Sequence, residues 1–159
     1  MADPLKELAH HHRELSGLLI AVRGALVRVE RGESKLDDEL HELRDGIEGF
    51  RESLLEHFAR EQEGLFPFVA ARIPAERART DELIAEHDRI AEALTTLLRD
   101  LGRIDSSGEL GPFRATLAHF EELYASHSRG ELGFLEDVAA ALASDASAME
   151  QLRAHLDEG

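Results

Sequence analysis

His57 and Glu61 stand four residues apart, and so do His127 and Glu131. On a helix that interval places two side chains on one face, one turn apart, so an imidazole and a carboxylate can address one centre. His12 and His87 add two more imidazoles at separate points of the chain. Nitrogen donors combined with carboxylates suit first-row transition ions, whereas magnesium and calcium prefer shells of oxygen alone. Four nitrogens and two carboxylates able to bridge suit a pair of such ions, with iron first and manganese or zinc also compatible.

The elements that must position these residues are helices. Apolar residues recur at helical spacing throughout, without sustained alternation, which predicts an all-α protein. Asp3-Pro4 starts the first helix, with Asp as N-cap and Pro at the first helical position. Arg31 to Ser34 ends it, Pro67 to Pro74 ends the second, and Asp105 to Pro112 ends the third. The expected architecture is an up-down-up-down four-helix bundle over residues 3–143 with a short C-terminal fifth helix over 144–157, capped by Ser144.

Four core-facing stripes follow from the three-and-four spacing. The first runs Leu5, Leu8, His12, Leu15, Leu19, Val22, Leu26, Val29; the second runs Leu36, Leu40, Leu43, Ile47, Phe50, Leu54, His57, Glu61, Leu65, Phe68. The third runs Ile84, His87, Ile90, Leu94, Leu97, Leu101, Ile104; the fourth runs Leu110, Phe113, Leu117, Phe120, Tyr124, His127, Glu131, Phe134, Val138. Ionisable residues interrupt each stripe at one level. In an antiparallel bundle, residues at equal height are equidistant from the turn between them. His12 and His57 are symmetric about Ser34 and Lys35, Glu61 and His87 about Pro74, and His87 and His127 about Ser107. All six residues therefore share one layer, where burial costs several kcal/mol per unpaired charge unless partners or metal ions satisfy them.

Other histidines are set aside by position. In the run His10-His11-His12, His12 lies on the stripe, His11 on its flank as the alternative, and His10 faces away. His41, His119 and His155 fall off the stripes or outside the main helices and are expected at the surface. A Glu-x-x-His pair on each of two helices would signal a ferritin-like centre, but only Glu7-x-x-His10 fits, and it points away from the core. Glu63 is expected to be solvated or to support a ligand. Gly130 and Gly133 weaken the fourth helix, which suggests either a small-molecule channel or close helix packing.

With 159 residues the chain is long enough for a full core as one domain spanning 1–159. It has no cysteine, which removes disulfides and thiolate ligands and makes the cytoplasm the expected compartment. No apolar run approaches the roughly 18 residues of a membrane span, so a soluble protein without a membrane partner is expected. A formal net charge of −15 argues against nucleic acid as a partner. Neither a Ser/His/Asp set, an HExxH motif nor a phosphate-cradling glycine loop opens another enzyme class.

The string His57-Phe-Ala-Arg-Glu61-Gln-Glu63-Gly-Leu-Phe-Pro67, together with His12-Arg-Glu-Leu15 and Glu86-His87-Asp88-Arg-Ile90, resembles the hemerythrin-like, HHE cation-binding family over roughly residues 5–142. The resemblance implies a non-haem centre of two iron ions, oxo- or hydroxo-bridged, ligated by His12, His57, Glu61, His87, His127 and Glu131. It implies a small-molecule partner: oxygen, hydrogen peroxide or nitric oxide.

Two departures matter. The oxygen-carrying members have a second histidine on the third helix, where Leu83 and Ala91 stand here, and an Asp five residues after the fourth-helix histidine, where Glu131 follows by four. The pattern is similar to the shorter H, HxxxE, H, HxxxE variant. With roughly six positions per iron, it leaves about two open, which favours reaction over reversible gas storage. Catalase-like peroxide removal is the expected activity, and a sensing or binding module without turnover is the rival. Tyr124, one turn before His127 and expected opposite Ala91, would fill a vacancy as a phenolate or hydrogen-bond the bound species.

Overall fold

A computed structural model describes residues 3–104 and 108–158, and every regular element in them is helical. Helix α1 spans Pro4–Glu30 and α2 spans Leu36–Arg60. A π-helical turn, Glu61–Leu65, leads directly into α3, Phe66–Arg72, and a 3-10 turn, Pro74–Glu76, precedes α4, Arg77–Gly102. Helix α5 spans Gly111–Leu142, and α6 spans Ala146–Glu158. α1 packs on α2, α4 on α5, and the square closes through α1 with α5 and α2 with α4. This is the expected up-down-up-down bundle with a short helix appended. The symmetry point at Ser107 and the start of the third turn lie outside the described residues.

Local chemistry explains the boundaries. The Asp3 carboxylate accepts the Leu5 N–H at 3.0 Å, and Pro4 occupies the first turn, where its missing donor costs nothing. Gly32, at φ 70°, supplies the left-handed turn after α1. Two expectations need correction. Ser144 does not cap the last helix: the Asp145 carboxylate accepts the Ala148 N–H at 2.9 Å, so α6 begins at Ala146 rather than 144. Pro67 does not end the second rod. The Phe66 N–H reaches back five residues to the Glu61 carbonyl, and this widened turn lets the chain pass through Pro67 and stay helical to Arg72.

The core is split into two apolar clusters. One joins Leu15, Leu19, Val22 and Leu26 to Leu43, Ile47, Phe50 and Leu54, to Ile90, Leu94, Leu97 and Leu101, and to Phe113, Leu117, Phe120 and Tyr124. The other joins Leu5 and Leu8 to Leu65, Phe66, Phe68 and Val69, to Leu83, and to Phe134, Leu135, Val138 and Leu142. On α4 the buried residue one turn before His87 is Leu83 rather than Ile84, which is only half-buried. Each enclosed aliphatic or aromatic side chain stabilises the fold by about 1.5–3 kcal/mol relative to exposure. The six ionisable residues lie between the clusters.

Helix α6 closes the second cluster with Ala148, Leu152 and Leu156 and rests on the π turn. Gly64 makes that approach possible. A Cβ there would meet Leu156 Cδ2 at 3.0 Å and the His155 carbonyl oxygen at 3.2 Å. Gly64→Val is expected to cost about 1–3 kcal/mol by overpacking, lowering the thermal midpoint by roughly 3–10 °C. Gly130→Ala, in open space on α5, should leave the midpoint unchanged or raise it. Equal midpoints for wild type and Gly64→Val would show that α6 does not depend on this contact.

Candidate metal centre

The structure brings all six predicted residues into one layer. His12 comes from α1, His57 from α2, Glu61 from the first residue of the π turn, His87 from α4, and His127 and Glu131 from α5. Each has at most 2 % of its surface exposed, so none is open to bulk solvent. Donor atoms of His12, His57, Glu61 and Glu131 lie within 4.8 Å of one another, and so do those of His87, His127 and Glu131.

The two carboxylates span both groups. Glu61 Oε1 is 2.7 Å from His57 Nε2 and 3.9 Å from His12 Nε2, whereas its Oε2 is 3.2 Å from His87 Nε2. Glu131 Oε1 is 3.1 Å from His12 Nε2, whereas its Oε2 is 2.8 Å from His127 Nε2. Each carboxylate thus gives one oxygen to the His12/His57 pair and the other to the His87/His127 pair. Short as these contacts are, neither carboxylate oxygen of Glu61 or Glu131, nor Nε2 of His87 or His127, has a partner with hydrogen-bond geometry. Buried polar atoms left in that condition cost about 1–3 kcal/mol apiece, and more when charged. Lone pairs that converge without bonding to each other are the arrangement a cation between them would satisfy, and the nitrogen and oxygen donors fit a first-row transition ion.

Each imidazole is also held from behind. His11 Nδ1 on α1 lies 3.1 Å from His57 Nδ1 on α2, and the Gln62 amide in the π turn lies 3.1 Å from His87 Nδ1 on α4. Glu86 on α4 accepts the Nδ1–H of His127 on α5 at 2.8 Å, and His12 Nδ1 on α1 lies 3.4 Å from the Ser128 hydroxyl on α5. The four contacts form a ring around the bundle in which every supporting residue is the sequence neighbour of a residue in the central layer. Such contacts select the tautomer that leaves Nε2 free to ligate. For His87 this requires the Gln62 amide to present its oxygen, a half-turn that leaves its shape unchanged. His11, weighed from sequence as the alternative to His12, thus touches the back of His57.

The remaining expectations divide. His41, His119 and His155 are exposed, as are His10 and Glu63. Gly130 faces open space and Gly133 meets only Arg79 Nη2 at 3.5 Å, so neither marks a close helix approach. Tyr124 is buried, its ring against Phe50 and Phe120 and 6.4 Å from that of His12. Its hydroxyl, with Ser128 and Ser16 as polar neighbours, has no partner in hydrogen-bond geometry.

The layer's electrostatics differ group by group. Burial, then the neighbouring imidazoles, holds His57 and His87 down to about 3. Burial and then the charge of Glu131 push Glu61 well above the usual carboxylate range. Burial acts on Glu131 in the same sense, but Glu61, His12 and His127 outweigh it and hold Glu131 low. Burial opposes protonation of His127, yet Glu131 and then Glu86 raise it.

For the metal-free protein the signs give a defined pH dependence. His57 and His87 take up protons on unfolding below 6.5, so their stability is present above that pH and lost as pH falls toward 3. Glu61, whose neutral form is favoured in the folded state, releases protons on unfolding above 4.5 and so opposes the histidines there. Glu131 adds a further loss below 4.5. Stability should therefore fall as pH drops below 6.5, and fall more steeply below 4.5, where Glu61 no longer offsets the histidines and Glu131 adds its own loss. Urea titrations of chelator-treated protein at pH 7, 5.5 and 4 test this, and a flat profile would overturn it.

Fold and layer together define a helical bundle with a buried imidazole–carboxylate centre suited to cations. The chain belongs to the hemerythrin HHE cation binding domain family, whose model matches residues 3–135. No curated protein and no solved structure matches it. Helix α6 lies beyond the matched residues. Among the described residues no helix is long and apolar enough to cross a membrane.

Proposed function

We propose that His12, His57, Glu61, His87, His127 and Glu131 hold a bridged pair of iron ions, and that this centre binds or reacts with a small oxidant: oxygen, hydrogen peroxide or nitric oxide. Family membership and the cation-binding donor set support the cation; the observation that carries a pair is the division of each carboxylate's two oxygens between two imidazole pairs. Two irons supply reversible one-electron steps and open coordination positions for a small ligand. The protein's part is to keep the layer dry, to fix both carboxylates across the pair, and to hold four Nε2 atoms inward.

Tyr124 is the group we assign to the small ligand. Burial pushes its phenol up to about 12 in the metal-free protein, so there it keeps its proton; beside the iron pair it would either donate a hydrogen bond to the small ligand or, as a phenolate, fill an open position. The preferred reaction is catalase-like removal of hydrogen peroxide.

Metal analysis and an absorption spectrum on freshly purified protein test the reading: two irons per chain with near-ultraviolet charge-transfer bands are expected. Oxygen evolution from peroxide by the loaded protein tests turnover. With Tyr124 as the donor, Tyr124→Phe should leave the spectrum unchanged and reduce peroxide turnover by about 10–100-fold, the worth of one hydrogen bond to a charged group. Metal bound without oxygen evolution would favour a sensing or binding module instead. The observation behind that reading is that the π turn carrying Glu61 is also the floor on which α6 rests.

A further inference from the structure

The ring of supporting contacts is not symmetric. Behind the His12/His57 pair stand a hydroxyl, Ser128, and an imidazole, His11. Behind the His87/His127 pair stand an amide, Gln62, and a carboxylate, Glu86. An anion accepting the Nδ1–H of a ligating imidazole makes the far nitrogen a stronger donor, and adds its own attraction to a cation. Glu86 is the one carboxylate in contact with an Nδ1 atom of the layer among the described residues. Near the other pair, the charges bordering His11 are of mixed sign: Arg60 against Glu14 and Glu56.

We infer that the centre consists of two unequal cation sites, and that the His87/His127 pair fills first and more tightly because Glu86 stands behind His127. The inference rests on the two-cation reading and adds to it an order of filling and the residue that sets it. Glu86 acts through His127 and is a positioning residue. Its side chain is about one-quarter exposed and borders a recess of about 100 Å³ lined also by Arg89, Ile90, Leu123, Ser126 and His127. It can therefore be exchanged without opening the core.

Repulsion between two cations sharing two carboxylates would separate the binding steps even for equal sites. The discriminating question is which pair fills first and what Glu86 does to that step. Cobalt(II) chloride titrated into metal-free full-length protein, followed by visible absorption and by calorimetry, answers it. His57→Ala should keep a first step close to that of wild type, whereas in His87→Ala the first step should be at least tenfold weaker. Glu86→Gln should weaken the first step by about 10–100-fold and leave the second nearly unchanged. Gln62→Glu, which places a second carboxylate behind the same pair, should tighten the first step. That gain cannot come from misfolding, which only weakens binding.

The inference is overturned if His87→Ala retains the tight step and His57→Ala loses it. It is equally overturned if Glu86→Gln shifts both steps alike or neither, or if Gln62→Glu fails to tighten the first. Wild-type protein that binds fewer than two cobalt ions would instead overturn the two-cation reading itself.

Discussion

Chelator treatment of the loaded protein is expected to lower its melting temperature by roughly 15–30 °C. A ligand that binds only the folded state stabilises it by about 4 kcal/mol at a thousand times its dissociation constant, so two cations contribute about 8 kcal/mol. For a chain of this length each kcal/mol moves the midpoint by about 2–4 °C. The source of the effect is visible in the layer. Without a cation, both oxygens of Glu61 and of Glu131 and the inward nitrogens of His87 and His127 are buried without hydrogen-bond partners. Thermal melts with and without chelator, followed by re-addition of iron or cobalt, provide the measurement. A midpoint that ignores chelator and metal alike would mean that the layer is a metal-free structural device.

The height of that layer was legible because it depends on spacing alone. Helical periodicity sets the phase of each stripe, and equal distances from the turns set the level, so His12, His57, Glu61, His87, His127 and Glu131 fall together on spacing alone. The reading failed where local rules met a tertiary compromise. Pro67 signals a helix end by its missing N–H, but the π turn before it re-routes the hydrogen bonding and lets the rod continue. Ser144 and Asp145 are both good caps, and only the geometry of Ala148 selects the second.

The supporting ring was missed for a different reason. His11, Gln62, Glu86 and Ser128 lie off the apolar stripes, where polar residues are usually solvated. Yet each sits beside a residue of the layer, about 100° around its helix, and so faces the neighbouring helix. A polar side chain adjoining each buried residue of the layer was therefore the available signal. What sequence could not supply is which neighbour reaches which ring. His11 shows the consequence: one step along the chain exchanges a place inside the layer for a contact with the back of His57.

Replacing Glu61 with Gln separates the demands of folding from those of the metal. In the metal-free protein burial and the charge of Glu131 both favour the neutral form of Glu61. Gln has nearly the same shape as a protonated Glu and carries no charge to desolvate, so Glu61→Gln should leave the metal-free midpoint equal to wild type or higher. With metal the expectation reverses. An amide cannot supply two anionic oxygens to the two imidazole pairs, so the variant should hold at most one cation per chain and lose most of the metal-dependent rise in midpoint. Glu131 would not separate the two so cleanly, because in the metal-free state its charge is supported by His12 and His127, and removing it should destabilise that state as well. Metal analysis beside melts of both forms decides the matter. A Glu61→Gln protein that still binds two cations would show that Glu61 does not join them, and one that melts well below wild type without metal would show that its carboxyl is needed for the fold itself.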